Sequence, residues 1–256
     1  MKLKEKLKQN KLTIGSWVTI GHHSIIEIMA SAGFEWLTID MEHTPISFET
    51  AQSLIAITKS YGLSSLVRVG KNDELIIKKV MDSGADGVIV PMVNSKEEAI
   101  KAVQSVYYPP KGKRGVGLAR AQEYGIGFEK YKNWLNNSSV VIAQIEHIDA
   151  VNHIEEIISV EGIDGIIIGP YDLSASMGMP GEFDRPEVKD AINKVKQACI
   201  KNNFPLGFHV IKPEEKLLDE KINDGFTFLA FSLDFFFLGE KAREEMNSFK
   251  SLVSTK

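Results

Sequence analysis

The sequence of 256 residues predicts an α/β fold, a (β/α)8 TIM barrel. The first observation is a recurring unit: a helical pattern, then Gly or Asn, then a short β-branched or aromatic run that ends in polar or glycine residues. The second is the number of such runs, because eight of them in about 250 residues is the expected size of a TIM barrel. A doubly wound sheet would more often have five or six strands.

The predicted strands alternate with helical segments along the whole chain. They end near Thr19, Asp40, Arg68, Pro91, Gln144, Gly169, His209 and Ser232. Six of them follow a residue that suits the left-handed conformation at a helix end: Gly33, Gly62, Gly84, Gly162, Asn203 and Gly225. Strands that alternate with crossover helices form parallel sheets, which favours the closed barrel.

Seven segments carry apolar residues at helical spacing. They are 24–32, 47–61, 73–83, 95–107, 149–160, 186–202 and 213–224. Leu3 and Leu7 indicate a further short amphipathic helix, and the longest irregular segment runs roughly over 107–127. No low-complexity linker divides the chain, so we expect one domain over residues 1–256.

Composition and charge exclude several classes of protein. With 43% hydrophobic and 25% charged residues, the chain is too apolar to be disordered. A net charge of -4 argues against nucleic acid as a partner. No run approaches the roughly 18 to 20 apolar residues of a membrane span, and the lysine-rich start lacks the apolar region of a signal peptide. The lone cysteine, Cys199, needs no oxidising compartment, so we expect a cytoplasmic protein.

The end of the second strand is a candidate site, because TIM-barrel active sites form at the C-terminal ends of the strands. Asp40, Glu42 and His43 bring two carboxylates and an imidazole together there. An imidazole titrates near neutral pH and gains basicity from a carboxylate that orients it, so His43 is the candidate general base. The alternative is a solvent-exposed loop histidine.

Arg68 ends the apolar third strand, where its permanent charge needs an anionic partner. A bound carboxylate or enolate would supply that partner. A salt bridge with Asp40 or Glu42 would supply it equally well, and the two interpretations are compatible.

Two further carboxylates arrive from adjacent strands. Gln144 and Glu146 share one side of the fifth strand, and Asp172 follows the sixth. Two hard oxygen ligands leave most positions of an octahedral ion for water and substrate, which is typical of Mg²⁺ or Mn²⁺. Alternatively, Asp172 caps a helix and Glu146 pairs with a lysine. The loop PPKGKRGVG could cradle an anion, although it lacks the ending of a P-loop.

The segments GFEWLTIDMEHT, LVRV, MDSGADGVIVPMVNSKEEA, YYPPKGKRGVG, IAQIEH and GIDGIIIGPYDLSASMG follow one another across nearly the whole chain. In this order they resemble the metal-dependent class II pyruvate aldolases of the 4-hydroxy-2-oxoheptanedioate aldolase type, relatives of the citrate lyase β-subunit. The resemblance implies a modified TIM barrel, assembled as a hexamer in which the last helix packs on a partner subunit. It also implies cleavage of a 4-hydroxy-2-oxoacid to pyruvate and an aldehyde, through an enolate stabilised by Mg²⁺, Mn²⁺ or Co²⁺.

The resemblance also assigns roles to individual residues. His43 matches the catalytic base, Asp82 the carboxylate that raises its basicity, and Arg68 the residue that stabilises the transition state. Glu146 and Asp172 match the metal ligands.

The substrate positions follow from the same resemblance. Gln144 and the backbone around Tyr171 and Asp172 match the pyruvate-binding positions, and Trp17 matches a residue that lines the pocket. The sequence departs from the family at Tyr171, where many members have a small residue, and in the first loop, at Gly21–His23. Both departures would reshape the aldehyde end of the pocket, so the aldehyde is not identified.

Three other functions fit parts of the sequence. A class I aldolase would need a desolvated lysine, and Lys71 and Lys212 are the candidates. A CoA-ester lyase of the same superfamily would need a nucleotide groove, for which only the KGKR loop offers suitable charge. A barrel that only binds a carboxylate would show binding without turnover.

Overall fold

The computed structural model describes residues 1–254 and contains the predicted closed barrel. Each strand pairs in parallel with the next one along the chain, and the eighth pairs with the first. The strands are β1 Thr13–Val18, β2 Trp36–Asp40, β3 Ser64–Arg68, β4 Gly87–Val90, β5 Val140–Ile145, β6 Gly165–Ile168, β7 Leu206–Val210 and β8 Phe228–Leu233. The predicted fold class is confirmed. The last two residues of the predicted domain, 1–256, lie outside the described part.

Helices connect the strands. They are α1 Leu3–Lys8, α2 His23–Ser31, α3 Phe48–Ser60, α4 Glu74–Asp82, α5 Lys96–Val106, α6 Phe128–Ser138, α7 Ile148–Asn152, α8 Ile154–Ile158, α9 Pro170–Ser176, α10 Pro186–Lys201, α11 Glu215–Asn223 and α12 Asp234–Ser254. The segment predicted as one helix over 149–160 is divided at His153. The helices α6, α9 and α12 lie outside the seven segments predicted from helical spacing. Within residues 1–254, no helix is both long and apolar enough to cross a membrane.

The interior of the barrel is filled by side chains, as in other TIM barrels. Trp36 stacks on Phe228 with ring centroids 4.4 Å apart. The indole lies directly against Gly15, where a Cβ atom would be 2.0 Å from the nearest ring carbon. Only glycine therefore lets β1 and β2 pair around this tryptophan.

The helix α1 closes the N-terminal end of the barrel. Its Leu3 and Leu7 belong to the same apolar cluster as the barrel interior, as the predicted amphipathic helix requires. Between them, the buried Lys4 ammonium lies 3.0 Å from the Asp164 carboxylate and donates to the Ser139 carbonyl oxygen at 2.6 Å. With that end closed, the polar side chains at the C-terminal strand ends surround the open mouth.

Candidate active site

A tight turn follows β2 at the mouth. The Asp40 carboxylate accepts hydrogen bonds from the backbone N–H groups of Glu42 at 3.0 Å and His43 at 3.4 Å. The Thr44 hydroxyl donates to the Asp40 carbonyl oxygen and holds the turn from the other side. The His43 side chain is 58% exposed, and its Nε2 lies 3.6 Å from Glu42 Oε2. The predicted base thus stands at the mouth beside a carboxylate.

Arg68 connects this turn to β3. Its guanidinium binds Asp40 in a bidentate pair, with Nε to Oδ1 at 3.0 Å and Nη2 to Oδ2 at 2.6 Å. Nε also lies 3.3 Å from Glu42 Oε2. The salt bridge considered from the sequence is therefore present. The face of the Arg68 guanidinium lies over Trp17, with the guanidinium carbon 4.4 Å from the ring centroid. This cation–π contact fixes the plane of the guanidinium.

The two carboxyl groups beside Arg68 have opposite protonation tendencies. Burial opposes ionisation of Asp40, but the hydrogen bonds and charge of Arg68 outweigh it and lower the pKa of this carboxyl. Burial raises the pKa of Glu42 to about 7. The repulsion of Asp40 and Asp172 also raises it, and the attraction of Arg68 lowers it only in part. Glu42 therefore exchanges its proton near neutral pH.

Glu146 and Gln144 form a second cluster at the end of β5. The Glu146 carboxylate accepts the Met92 backbone N–H at 2.7 Å and the Gln144 side-chain amide. Burial raises the pKa of Glu146 to about 7. The repulsion of Glu42 and Asp172 also raises it, whereas these two hydrogen bonds lower it. Gly169 leaves room for the cluster, because a Cβ atom there would lie 3.1 Å from Glu146 Oε2.

Asp172 lies in the first turn of α9 and is exposed. No side chain caps this helix, so the alternative role of Asp172 as an N-cap is not observed. Its charge raises the pKa of both Glu42 and Glu146. Three carboxylates from β2, β5 and α9 therefore act on one another at the mouth.

The chemistry of this donor set fits a hard divalent cation. Gln144 Oε1 is a buried oxygen that accepts no hydrogen bond from any described residue, whereas Glu42 Oε2 is already in an ion pair with Arg68. A cation would relieve the mutual repulsion of the carboxylates and satisfy such an unpaired oxygen. Over residues 1–254 no three His, Cys, Asp or Glu side chains form a preformed metal cluster. The ligand roles of Glu146 and Asp172 remain predictions.

Asp82 lies elsewhere. It ends α4, where it accepts a hydrogen bond from Gln122 Nε2 at 3.3 Å. Burial raises the pKa of its carboxyl, against the attraction of Arg114. Helices in a βα barrel end at its N-terminal face. Asp82 and His43 therefore lie at opposite faces of the barrel within one chain. Within one chain the structure does not bring the predicted base and its predicted carboxylate partner together.

The chain matches one known protein family over most of its length. The family model for HpcH/HpaI aldolase/citrate lyase matches residues 13–238. The chain belongs to this aldolase family. The match runs from the first strand into the last helix, so it covers every strand of the barrel. The resemblance predicted from the sequence is confirmed, and the chain is a carbon–carbon lyase.

Relatives with assigned names agree with this assignment. A protein of Sagittula stellata named hydroxypyruvate/pyruvate aldolase is 37% identical over 234 residues, 91% of each chain. A protein of Salmonella dublin named 4-hydroxy-2-oxo-heptane-1,7-dioate aldolase is also 37% identical, over 90% of this chain and 88% of its own. The crystal structure of a family protein from Burkholderia cenocepacia superposes with a TM-score of 0.91 at 28% identity, covering 97% of this chain and 98% of that one.

Two cavities adjoin the charged mouth of the aldolase. The first, of about 440 Å³, is lined by Trp17, His43, Arg68 and His209 among others. The second, of about 980 Å³, shares His209 with the first and includes Tyr171. Tyr171 is 53% exposed, and the two cavities share the lining residues His209, Ile211 and Phe236.

Sequence reasoning gave no specific role to two residues of this aldolase site. Glu42 was considered as an acidic neighbour of His43 and as a salt-bridge partner of Arg68; the structure shows it in contact with both, with a pKa of about 7. His209 enters the sequence analysis only as the residue near which a strand ends. Its position at a strand end was the available signal.

The structure gives little support to the rival functions. Lys71 and Lys212 are both exposed, and the Lys212 ammonium lies 3.7 Å from Glu214, so neither is the desolvated amine of a Schiff-base aldolase. The KGKR loop follows α5 at the N-terminal face of the aldolase barrel. There Arg114 is buried over the ring of Tyr108, with the guanidinium carbon 4.4 Å from the ring centroid. Within one chain this loop cannot form a groove at the mouth.

Proposed function

We propose that this chain catalyses the reversible cleavage of a 4-hydroxy-2-oxoacid to pyruvate and an aldehyde. The observation that carries the proposal is the convergence of Glu42, Glu146 and Asp172 on one mouth, beside Arg68 and His43. The names of the Sagittula and Salmonella relatives, a pyruvate aldolase and a hydroxy-oxo-dioate aldolase, support this substrate class.

Glu146 and Asp172 would hold a divalent cation, Mg²⁺ or Mn²⁺, with Co²⁺ as an alternative. Such an ion supplies Lewis acidity, which polarises the keto group of a 2-oxoacid. The side-chain amide of Gln144 would contact the bound oxoacid, and its Oε1 atom has no hydrogen-bond partner among the described residues. The backbone around Tyr171 and Asp172 binds the carboxylate of the oxoacid, as the resemblance implies.

His43 moves the proton. In the synthetic direction it removes a proton from the methyl group of pyruvate, and the resulting enolate attacks the aldehyde carbon. The Glu42 carboxylate lies beside the imidazole, with 3.6 Å between Oε2 and His43 Nε2. Arg68 faces the negative charge that develops on the enolate, and its bidentate pair with Asp40 keeps the guanidinium in place. Cleavage follows the same path in reverse.

The role that the resemblance gives to Asp82 requires a second copy of the chain. Asp82 and His43 lie at opposite ends of one barrel, so Asp82 can raise the basicity of His43 only across an interface. This agrees with the proposed homo-oligomer, a hexamer by resemblance, in which the last helix packs on a partner. On α12 the apolar side chains of Leu238, Met246 and Phe249 are exposed and available for such packing.

We place the reaction in the cytoplasm and assign it to one barrel domain. The single thiol, Cys199, is buried, and burial raises its pKa to about 12. Such a thiol is unreactive and compatible with a reducing compartment. The proposed substrates are small molecules, and no nucleic-acid or membrane partner is invoked.

The test is pyruvate release from 4-hydroxy-2-oxoheptanedioate and a panel of 4-hydroxy-2-oxoacids. Each substrate is assayed as purified, with EDTA, and after addition of Mg²⁺, Mn²⁺ or Co²⁺. We expect EDTA to abolish release and metal to restore it. Release that persists in EDTA, with borohydride trapping of a pyruvate adduct, would show a Schiff-base lysine instead. Turnover of malyl or citramalyl thioesters alone would indicate a CoA-ester lyase.

A further inference from the structure

The contact between Trp17 and His209 lies beside the reacting groups but takes no part in the chemistry described so far. Their ring centroids are 5.3 Å apart, and both residues line the 440 Å³ cavity. Trp17 Nε1 and His209 Nε2 are both buried and have no hydrogen-bond partner among the described residues. A buried polar atom without a partner is costly, so such atoms often mark a position that a ligand completes.

The two nitrogen atoms have complementary hydrogen-bonding character. The indole Nε1–H of Trp17 can only donate. Burial and the charge of Arg68 lower the pKa of His209 to about 3, so its ring is neutral at physiological pH. The Ser232 backbone hydrogen-bonds this ring in the sense that favours its protonated form, so the carbonyl oxygen accepts its single N–H. Nε2 is therefore left with a lone pair and accepts.

The cavity occupies a different side of the mouth from the carboxylates. Glu146 directly follows β5 and Asp172 lies in α9, whereas the cavity is lined from β1, β2, β3, β7 and β8. Arg68 lines the cavity and also lies 3.3 Å from Glu42, whose charge acts on Glu146. With the oxoacid at the carboxylates, the cavity is the space that remains for the aldehyde. Trp17 contacts Arg68, the residue proposed to face the enolate, so the nitrogen pair adjoins the proposed reacting groups. C2 is the carbon bonded to the aldehyde carbonyl, so its substituent is the one closest to these groups.

We propose that Trp17 and His209 select aldehydes that carry a hydroxyl group on C2. Trp17 Nε1–H donates to the hydroxyl oxygen, and His209 Nε2 accepts the hydroxyl hydrogen. This inference rests on the proposed aldolase function and narrows its substrate class to α-hydroxyaldehydes. An aldehyde without this hydroxyl leaves both nitrogens unpaired, and a carboxylate in its place has no hydrogen to give to Nε2.

The test compares pairs of aldehydes that differ only in the C2 hydroxyl: glycolaldehyde with acetaldehyde, and lactaldehyde with propanal. The readout is kcat/KM for addition of pyruvate, expressed as the ratio within each pair. We expect the wild-type enzyme to favour the hydroxylated member roughly ten-fold or more. Succinic semialdehyde, which carries a distal carboxylate and no hydroxyl, should rank with acetaldehyde.

Two variants assign this preference to the nitrogen pair. His209→Leu and Trp17→Phe should each bring the ratio close to one, mainly by lowering kcat/KM for the hydroxylated aldehyde. His209→Gln, which retains an acceptor, should recover part of it. The matched control is His153→Leu, the same substitution at an exposed histidine whose ring contacts the Asn94 carbonyl oxygen outside both cavities. It should keep the wild-type ratio.

A second readout separates this inference from the function on which it rests. Exchange of the pyruvate methyl protons with solvent deuterium, followed by NMR in the wild-type enzyme with metal, needs no aldehyde. If the wild-type enzyme exchanges the pyruvate protons but His209→Leu and Trp17→Phe keep the wild-type ratio of kcat/KM, the inference is overturned and the proposed function stands. Equal wild-type rates for both members of each pair overturn it as well. Absence of exchange and of pyruvate release would overturn the proposed function itself.

Discussion

The bidentate pair between Arg68 and Asp40 gives a prediction that can be worked through in numbers. The Asp40 side chain is 4% exposed and the Arg68 side chain 13% exposed, so the pair is largely shielded from water. The change Arg68→Gln leaves the Asp40 carboxylate buried without its counter-charge. Breaking a buried pair from one side costs about 3–5 kcal/mol. The backbone N–H groups of Glu42 and His43 still bind Asp40, so we expect a loss near 3 kcal/mol.

The double variant Arg68→Gln/Asp40→Asn isolates the cause of this loss. It leaves no buried charge, and its two amides can hydrogen-bond to each other, so most of the lost stability should return. Activity should not return, because the guanidinium that faces the developing enolate is still absent. The assay is urea unfolding at pH 7.5, with kcat and Mn²⁺ affinity measured on the same preparations. We expect kcat to fall by at least a hundred-fold and Mn²⁺ affinity to change little.

The pH dependence checks the sign of the effect. In the wild-type protein Arg68 holds the pKa of Asp40 below its ordinary 3.8, so this carboxylate contributes stability above that pH and loses it as pH falls through the folded value. In Arg68→Gln only the backbone N–H groups of Glu42 and His43 oppose the effect of burial, so the pKa of Asp40 rises and the stability penalty is largest at neutral pH. The stability gap between the two proteins should therefore narrow between pH 7.5 and pH 4. A constant gap, or a double variant that regains turnover, would refute this reasoning.

The remaining predictions concern the metal site, the barrel interior and acid stability. Glu146→Gln should weaken Mn²⁺ binding more than ten-fold in calorimetry, and because the pKa of Glu146 is about 7, wild-type affinity should fall up to about ten-fold per pH unit below 7. Gly15→Ala would place a Cβ atom 2.0 Å from the Trp36 ring and should lower the Tm sharply, whereas the control Gly115→Ala, with no atom within 4 Å, should not. His209 has a pKa of about 3 against an ordinary 6.5, so the unfolded chain binds the extra proton and stability should fall as pH drops from 6.5 towards 3, by at most about 1.4 kcal/mol per pH unit. His209→Leu should flatten that part of the curve of unfolding free energy against pH, and an unchanged slope would contradict the neutral buried imidazole.

The fold could be predicted because its signals are local. The strands predicted to end near Asp40 and Arg68 do end at these residues, since each short apolar run ends in a polar group. Gly33 and Gly225, predicted as helix ends, have φ angles of 90° and 89°. The helix α6 was missed because its sequence, FEKYKNWLNNS, is rich in aromatic and Asn residues of modest helix propensity. Its buried side chains show that packing decides its conformation.

From the sequence, only the site residues that lie at strand ends could be identified. His43, Arg68, Gln144 and Glu146 follow from the rule that barrel mouths lie at C-terminal strand ends. The protonation behaviour of the carboxylates does not follow, because it depends on how deeply each is buried and on charges from other strands. Asp82 shows the converse limit: family resemblance gave it a role, but only the topology reveals that its side chain lies at the other end of the chain's own barrel.

Sequence resemblance and structure divide the mouth into two halves. The segments that carry the resemblance span β2 to β6 and α9, which supply Arg68, Glu146 and Asp172, the groups proposed to act on pyruvate. None of these segments includes β7 or β8, which help to line the cavity proposed for the aldehyde. Chemistry shared by the family requires the same groups around pyruvate in each member. Different aldehydes require different side chains around the cavity proposed for the aldehyde. Under the proposed selection by Trp17 and His209, the aldehyde is chosen by residues outside these segments, and their unpaired hydrogen-bonding atoms are what indicates the choice.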